Sequence, residues 1–275
     1  MLALIAANAS VYLLIAVRCF ALVMTLPLLS MRSVSRVAKV ALAGYMAFLV
    51  LPMATSAEWD GIAGTFGSFT LEYVFLLIGE ALIGIITGFY ITIIFSAFSS
   101  AGQFFTFQMG FGASEVYDAL SQVENPLMGQ YLNLIAMLLF LQVQGFQRIF
   151  LSGVLRSFQS INCYALVHAQ DSFYTFLLSG LTDLFFDALM IALPLIAALL
   201  LVSICMGILS KAAPQMNLLS EGLPITILAA FFLLTLLLPT MCDFFVRSFS
   251  VGFAKLEQLF AEVGTVMGTF LPSGE

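Results

Sequence analysis

Six ionisable side chains stand within or at the ends of long apolar runs: Arg18, Glu72, Glu80, Asp183, Asp187 and Arg247. A charge at the centre of a membrane helix costs about 2.5–3.5 kcal/mol on insertion scales, so such residues face protein or water rather than lipid. The chemistry open to them is a polar pathway or pairing between subunits. Glu80 lies deep in the run 71–98, and Arg18 lies near the middle of the run 5–29. Their opposite signs allow an ion pair. Asp183 and Asp187 are four residues apart and share a helix face, where like charges repel. That face suits a cation site or, more simply, a wet surface turned toward a partner. For Glu72, Asp183 and Arg247, a charge at a helix end that snorkels to the interface is the simpler reading.

Catalytic and metal-binding patterns are missing. His168 is the single histidine, and no HExxH, phosphate-binding loop or dinucleotide motif occurs. Cys19, Cys163, Cys205 and Cys242 are far apart, without the paired spacing of a zinc or redox site, and read as small core hydrophobes. The chain is expected to be no enzyme and to need no cofactor and no metal.

Two polar or irregular stretches interrupt the apolar runs. Residues 104–130 carry Phe-Phe-Thr-Phe-Gln-Met-Gly-Phe-Gly-Ala-Ser and then Glu124-Asn125-Pro126, and the sequence predicts a loop here at or near membrane depth. Irregular backbone at that depth must be buried in protein or line a cavity. Met109 between Phe107 and Phe111 could form a deformable seal, and a plain solvent-exposed connector is the other reading. The second stretch, 207–224, predicts a polar turn between two apolar helices, with Lys211, Pro214, Gln215 and Asn217 at the turn.

The elements that position these residues follow from composition. Of 275 residues, 62% are hydrophobic and 9% are charged, with a mean hydropathy of +1.10. Soluble domains carry about 25% charged residues. Without water the backbone of such runs must bond to itself, which predicts an all-α, membrane-inserted protein. Runs at 5–29, 40–53, 71–98, 131–143, 173–209 and 223–245 give five to six hydrophobic helices. Pro52, Pro126, Pro194, Pro214, Pro224 and Pro239 predict that several are broken or bent. Arg32, Arg36 and Lys39 in a short loop belong on the cytoplasmic side, as does Lys211, which turns the N-terminus outward, and Trp59 fits an interfacial anchor. No basic residue precedes Arg18, so the start lacks the charged region of a cleavable signal and the first helix is expected to stay. Nine basic residues and a net charge of −6 exclude nucleic acid as a partner. In the tail, Leu256, Leu259, Phe260 and Val263 form the apolar stripe of an amphipathic helix at about 250–270, near neutral, which suits packing on a partner protein better than adhesion to anionic lipid.

The stretch Gly207-Ile-Leu-Ser-Lys-Ala-Ala-Pro-Gln-Met-Asn217 with Gly222-Leu-Pro224 resembles the signature of the FliR family and its injectisome counterpart SctT. Further landmarks occur in the same order: Arg18 with Pro27, Gly79-Glu80-Ala-Leu-Ile-Gly84, Gly102-Gln103, Gln108-Met109-Gly110 and Asn125-Pro126. The resemblance covers about residues 10–245. It departs at Glu221, where an apolar residue is usual, and at Lys211, where arginine is frequent. Pro-Gln-Met-Asn and the Gly-hydrophobic-Pro after it favour the flagellar branch.

The resemblance implies a subunit of a protein export gate in the inner membrane, within the flagellar basal body. The implied partners are FliP, FliQ, FlhB and FlhA homologues, and the implied cargo is unfolded flagellar proteins. It implies one export-gate domain: a FliP-like part at about 1–165, a FliQ-like helical hairpin at about 170–245, then the amphipathic tail. It also implies that Phe107, Gln108, Met109, Gly110 and Phe111 belong to a loop that helps plug the closed pore. Arg18, Glu80, Asp183 and Asp187 then read as buried polar or inter-subunit groups. Two rival classes remain at this point: a secondary transporter with sites at those four charges, and an intramembrane enzyme using His168 or an acidic pair.

Overall fold

The computed structural model describes residues 8–31, 34–54, 71–110, 127–161, 166, 169–212 and 218–270, and among them every regular element is helical. The chain starts with α1 (Ala9–Thr25), a single turn α2 (Pro27–Ser30) and α3 (Arg36–Ala54). It continues with α4 (Leu71–Met109) and α5 (Leu127–Gln142). Next come α6 (Gly145–Arg148), a π-helical segment (Ile149–Arg156) and α7 (Ser157–Ser160), which follow one another without interruption. Two very long helices close the chain, α8 (Gln170–Ala212) and α9 (Leu218–Phe270).

Two compact units form. The first comprises Met1–Ile93, Gln144–Gly180 and Val251–Glu275, and the second Ile94–Val143 and Leu181–Ser250. In the first, α1 lies directly on α4 through Gly84 and Gly88, which stand four residues apart. A Cβ on Gly84 would collide with the Arg18 carbonyl, and one on Gly88 with the Thr25 hydroxyl. Small residues at this spacing let two helix backbones approach closely in an apolar setting. Both ends of α1 are tied: the Tyr73 hydroxyl donates to the Ser10 carbonyl at 2.8 Å, and the Thr92 hydroxyl to the Thr25 carbonyl at 2.9 Å. Pro27 forces Leu26 out of helical geometry (ψ 129°) and then starts α2.

In the second unit, Gly102 of α4 faces Gly129 of α5, so closely that a Cβ on Gly102 would lie 2.5 Å from the Gly129 Cα. Beside this crossing Phe95, Phe98, Phe140, Phe245 and Phe249 make an aromatic core, with ring centroids 4.2–5.4 Å apart in tilted and edge-on pairs. These are the separations at which aromatic quadrupoles attract.

Among the described residues three helices are long and apolar enough to cross a membrane, within α4, α8 and α9, and the pair Leu127–Gln142 with Gly145–Arg156 is a fourth candidate if its bend is one broken span. The sequence predicts a broken helix, and one exists, but its break falls at Val143 and Gln144 instead of at a proline. Gln144 adopts a left-handed conformation (φ 57°) that ends α5. The helices α3, α8 and α9 run through Pro52, Pro194, Pro224 and Pro239. A proline removes one donor and kinks a helix, yet in an apolar setting the flanking turns have no better partner than the helix itself.

Three other expectations change. Lys39 is in the second turn of α3, buried, and its Nζ donates to the carbonyls of Ser30 at 3.1 Å and Met31 at 3.3 Å. It therefore neutralises the C-terminal end of α2, whereas Arg36 is exposed. The amphipathic tail is the last part of α9, not a helix of its own. Its stripe Leu256, Leu259, Phe260 and Val263 is 0–3% exposed within the first unit, so this chain itself covers the face expected to seek a partner protein. The expected loop from Phe104 onward is instead helix as far as Met109, because Phe98, Ala101, Phe105 and Met109 continue one buried stripe of α4.

Candidate functional site

Arg18 is 1% exposed at the centre of the first unit, and Glu80, also 1% exposed, lies beside it. The Glu80 Oε2 is 2.5 Å from both Nε and Nη2 of Arg18. The guanidinium has further acceptors: Nη1 donates to the Ser157 hydroxyl at 3.1 Å and Nη2 to the Ile161 carbonyl at 3.0 Å. Its plane lies over the Phe158 ring, 3.8 Å from the centroid. The Ser157 hydroxyl in turn donates to the Val154 carbonyl at 2.8 Å. One arginine thus joins α1, α4 and the end of the segment 149–161. A charge this deep persists only because its donors are satisfied and a counter-charge is in contact.

A second ionic contact grips the same segment from α9. Glu257 accepts from the Ser152 hydroxyl at 2.5 Å and from Arg156 Nη1 at 2.7 Å. The Arg148 guanidinium lies over the Phe253 ring at 5.9 Å. Sequence reasoning missed Ser152, Arg156, Ser157, Phe158 and Glu257 altogether. Their signal was weak: the span between α5 and α8 is mixed in polarity and stood outside the apolar runs.

The other predicted site residues are dispersed. Asp183 and Asp187 belong to the second unit, half-buried on α8, and Asp187 accepts from the Ser248 hydroxyl at 2.6 Å. Of the predicted plug, Phe107, Gln108 and Met109 form the last turn of α4. Phe107 is 71% exposed, Gln108 half-buried and Met109 fully buried. Gly110 ends the helix with φ 86°, its N–H donating to the Phe107 carbonyl at 3.2 Å, a conformation glycine adopts without strain. Phe111 lies outside the described residues. Lys211 is exposed in the last turn of α8, where a cation favours the helix dipole. Pro214, Gln215, Asn217 and His168 lie outside the described residues.

No cluster of three or more His, Cys, Asp or Glu residues able to hold a metal occurs among the described residues. The Arg18–Glu80 pair is closed upon itself, which makes it a joint between helices and a poor solute site. By contrast, α8 and α9 are strongly apolar yet little covered: 22% and 17% of their most apolar stretches are buried, against 44% for α4.

Residues 9–251 match the family described as bacterial export proteins, family 1. The chain belongs to this family. Among its relatives, flagellar biosynthetic protein FliR of Bacillus subtilis (strain 168) is 29% identical over 258 residues, covering 92% of this chain and 95% of that protein. FliR of Escherichia coli (strain K12) is 29% identical over 246 residues, 90% of this chain and 91% of that protein. The surface presentation of antigens protein SpaR of Shigella flexneri is 29% identical over 198 residues, 71% of this chain and 72% of that protein. As a family 1 export protein of the FliR type, the chain carries Arg18, Glu80 and the Gly84–Gly88 contact inside the matched span, while the stripe Leu256–Val263 lies beyond it.

Proposed function

We propose that the chain is a non-enzymatic subunit of a bacterial type III protein export gate in the cytoplasmic membrane, within the flagellar basal body. It forms with FliP and FliQ homologues the channel for unfolded flagellar proteins, and FlhB and FlhA homologues are further partners. The observation that carries this reading is the bareness of α8 and α9, with only 22% and 17% of their most apolar stretches buried by the chain itself. Apolar surface of that extent needs other subunits or lipid. In this reading about residues 1–165 are the FliP-like part and about 170–245 a FliQ-like hairpin.

Co-expression of the tagged chain with FliP and FliQ homologues from the same genome tests the reading. One detergent-resistant hetero-oligomer by co-purification and native mass is the expected result. A stable lone monomer or homodimer would overturn it. The likeness to SpaR keeps an injectisome gate as the second reading, and the two separate by which set of homologues is retained.

Residues 107–111 are proposed to help close the pore. An exposed Phe107 beside a buried Met109, at a helix end that Gly110 redirects, supports a seal anchored on one side. Deleting residues 108–111 is expected to let small ions leak through membranes carrying the assembled complex. Membranes as tight as those of the parent would rule the plug out.

A further inference from the structure

A groove of about 430 Å³ lies between the first turns of α8 and the C-terminal part of α9, with all of its lining in the first unit. Its size is that of a ligand pocket, but its walls are polar. Asp171, Thr175 and Ser179 stand four residues apart on one face of α8, and Lys255 and Glu262 stand seven apart on one face of α9. Leu259 and the Phe176 ring add apolar surface, and the ring packs against Tyr90 with centroids 4.2 Å apart.

Most of these polar groups are not consumed inside the chain. Elsewhere in the apolar helices a hydroxyl returns to the carbonyl one turn back, as Thr87 does to Ile83 at 2.9 Å, Thr106 to Gly102 at 2.6 Å and Thr226 to Gly222 at 2.9 Å. Among the described residues the hydroxyls of Thr175 and Ser179 make no such bond, and the Asp171 carboxylate has neither a hydrogen-bonding nor an ionic partner. Glu262 meets one neutral donor, the Gln258 amide at 2.8 Å. With two carboxylates against one ammonium, the walls keep one surplus negative charge.

The same unit shows what such a set of groups holds. Arg18 is bound by a carboxylate, a serine hydroxyl and a phenylalanine face, and the groove offers all three again with no arginine in its lining. A guanidinium matches this set better than an ammonium, because its planar fork takes several oxygens at once and its face stacks on a ring. One surplus charge suits one cation and not a polyamine. The space exceeds a single side chain and leaves room for the backbone that carries it.

We propose that the groove between residues 171–179 and 255–262 binds an arginine side chain presented by a partner polypeptide, with Asp171 and Glu262 as counter-charges and Phe176 as the stacking face. The inference goes beyond the export-gate reading and does not rest on it, because its probe is a peptide of defined composition.

The test is protection of a cysteine in the groove, in the full-length chain in membrane fragments with the natural cysteines replaced by alanine. Ser179→Cys is the reporter, and Tyr174→Cys, 66% exposed on α8 and outside the groove, is the control. Glycyl-arginyl-glycine blocked at both ends is added before a small neutral thiol reagent. With a Kd of about 1 mM, about 4 mM peptide slows labelling of Ser179→Cys roughly fivefold and leaves Tyr174→Cys unchanged. The citrulline peptide, equal in shape but uncharged, is expected to give no slowing. Asp171→Asn combined with Glu262→Gln is expected to abolish the effect of arginine and to keep the rate measured without peptide. Equal slowing by citrulline, or slowing that survives the double variant, would overturn the proposal, as would an unchanged rate with the arginine peptide. Stronger protection by spermidine would mark a site for free cations, and labelling that becomes fast only after detergent extraction would mark a lipid in the groove; either result overturns it too.

Discussion

Arg18 and Phe249 sit at the centres of the two compact units and hold them by opposite means. Around Arg18 the first unit closes on directed polar contacts: one carboxylate, one hydroxyl, one carbonyl and one ring face, each at a fixed position. Around Phe249 the second unit closes on undirected apolar contact with Phe95, Phe98 and Phe140. A buried ion pair contributes little net stability compared with an apolar replacement, but it penalises every arrangement that leaves one charge alone. An aromatic core contributes more through area and tolerates repacking. The first unit thereby disfavours helix arrangements that part Arg18 from Glu80. Both units leave apolar helix faces bare, among them Phe75 in the first and Leu201 in the second.

The sharpest break of this contrast is Arg18→Ala, which leaves the Glu80 carboxylate buried and should cost about 5 kcal/mol, read as loss of folded protein in membranes and of thermal stability in detergent. Replacing both Arg18 and Glu80 by methionine should recover most of that stability, because the uncompensated charge is gone. If the double variant is as unstable as the single, the pair is more than mutually neutralising. Phe249→Ala should cost about 3–4 kcal/mol through the cavity it leaves. Phe249→Leu should cost under about 1.5 kcal/mol. A conservative variant that fails as badly as alanine would mean the second unit is as geometrically strict as the first. Leu201→Lys, on a bare face of α8 (62% exposed), should disturb no internal contact yet cost about 2.5–3.5 kcal/mol in membrane insertion or subunit assembly, visible as reduced membrane accumulation. The smallest effect is a gain: Gln144→Gly at φ 57° should add roughly 1 kcal/mol by removing left-handed strain, measurable as a modest rise in melting temperature.

Much of the fold was legible because its signals are local. Apolar runs longer than a bilayer core announced α4, α8 and α9, and Pro27 announced the end of α1. The loop expected from Phe104 onward was misread because the Gly-interrupted, aromatic stretch outweighed the stripe Phe98, Ala101, Phe105 and Met109, which carries α4 on to Met109. Prolines 194, 224 and 239 break no helix, because an apolar helix has nowhere else to satisfy its backbone. Lys39 was read as part of a short loop, whereas it lies in α3 and its Nζ reaches the carbonyls that end α2.

The chain's chemistry by itself determined that the protein is helical and membrane-inserted, and its motifs placed it in the right family. Hydropathy, periodicity and short signatures are properties of neighbouring residues. Tertiary structure alone decided which groups meet Arg18, across sequence separations of 62, 139 and 143 residues. It also decided that residues 149–156 wind as a π-helix, that Met109 turns inward while Phe107 faces out, and that the tail of α9 is covered by its own chain. Those outcomes depend on which helix faces come together. Close packing of side chains and the satisfaction of buried charge settle that only when the whole chain is assembled.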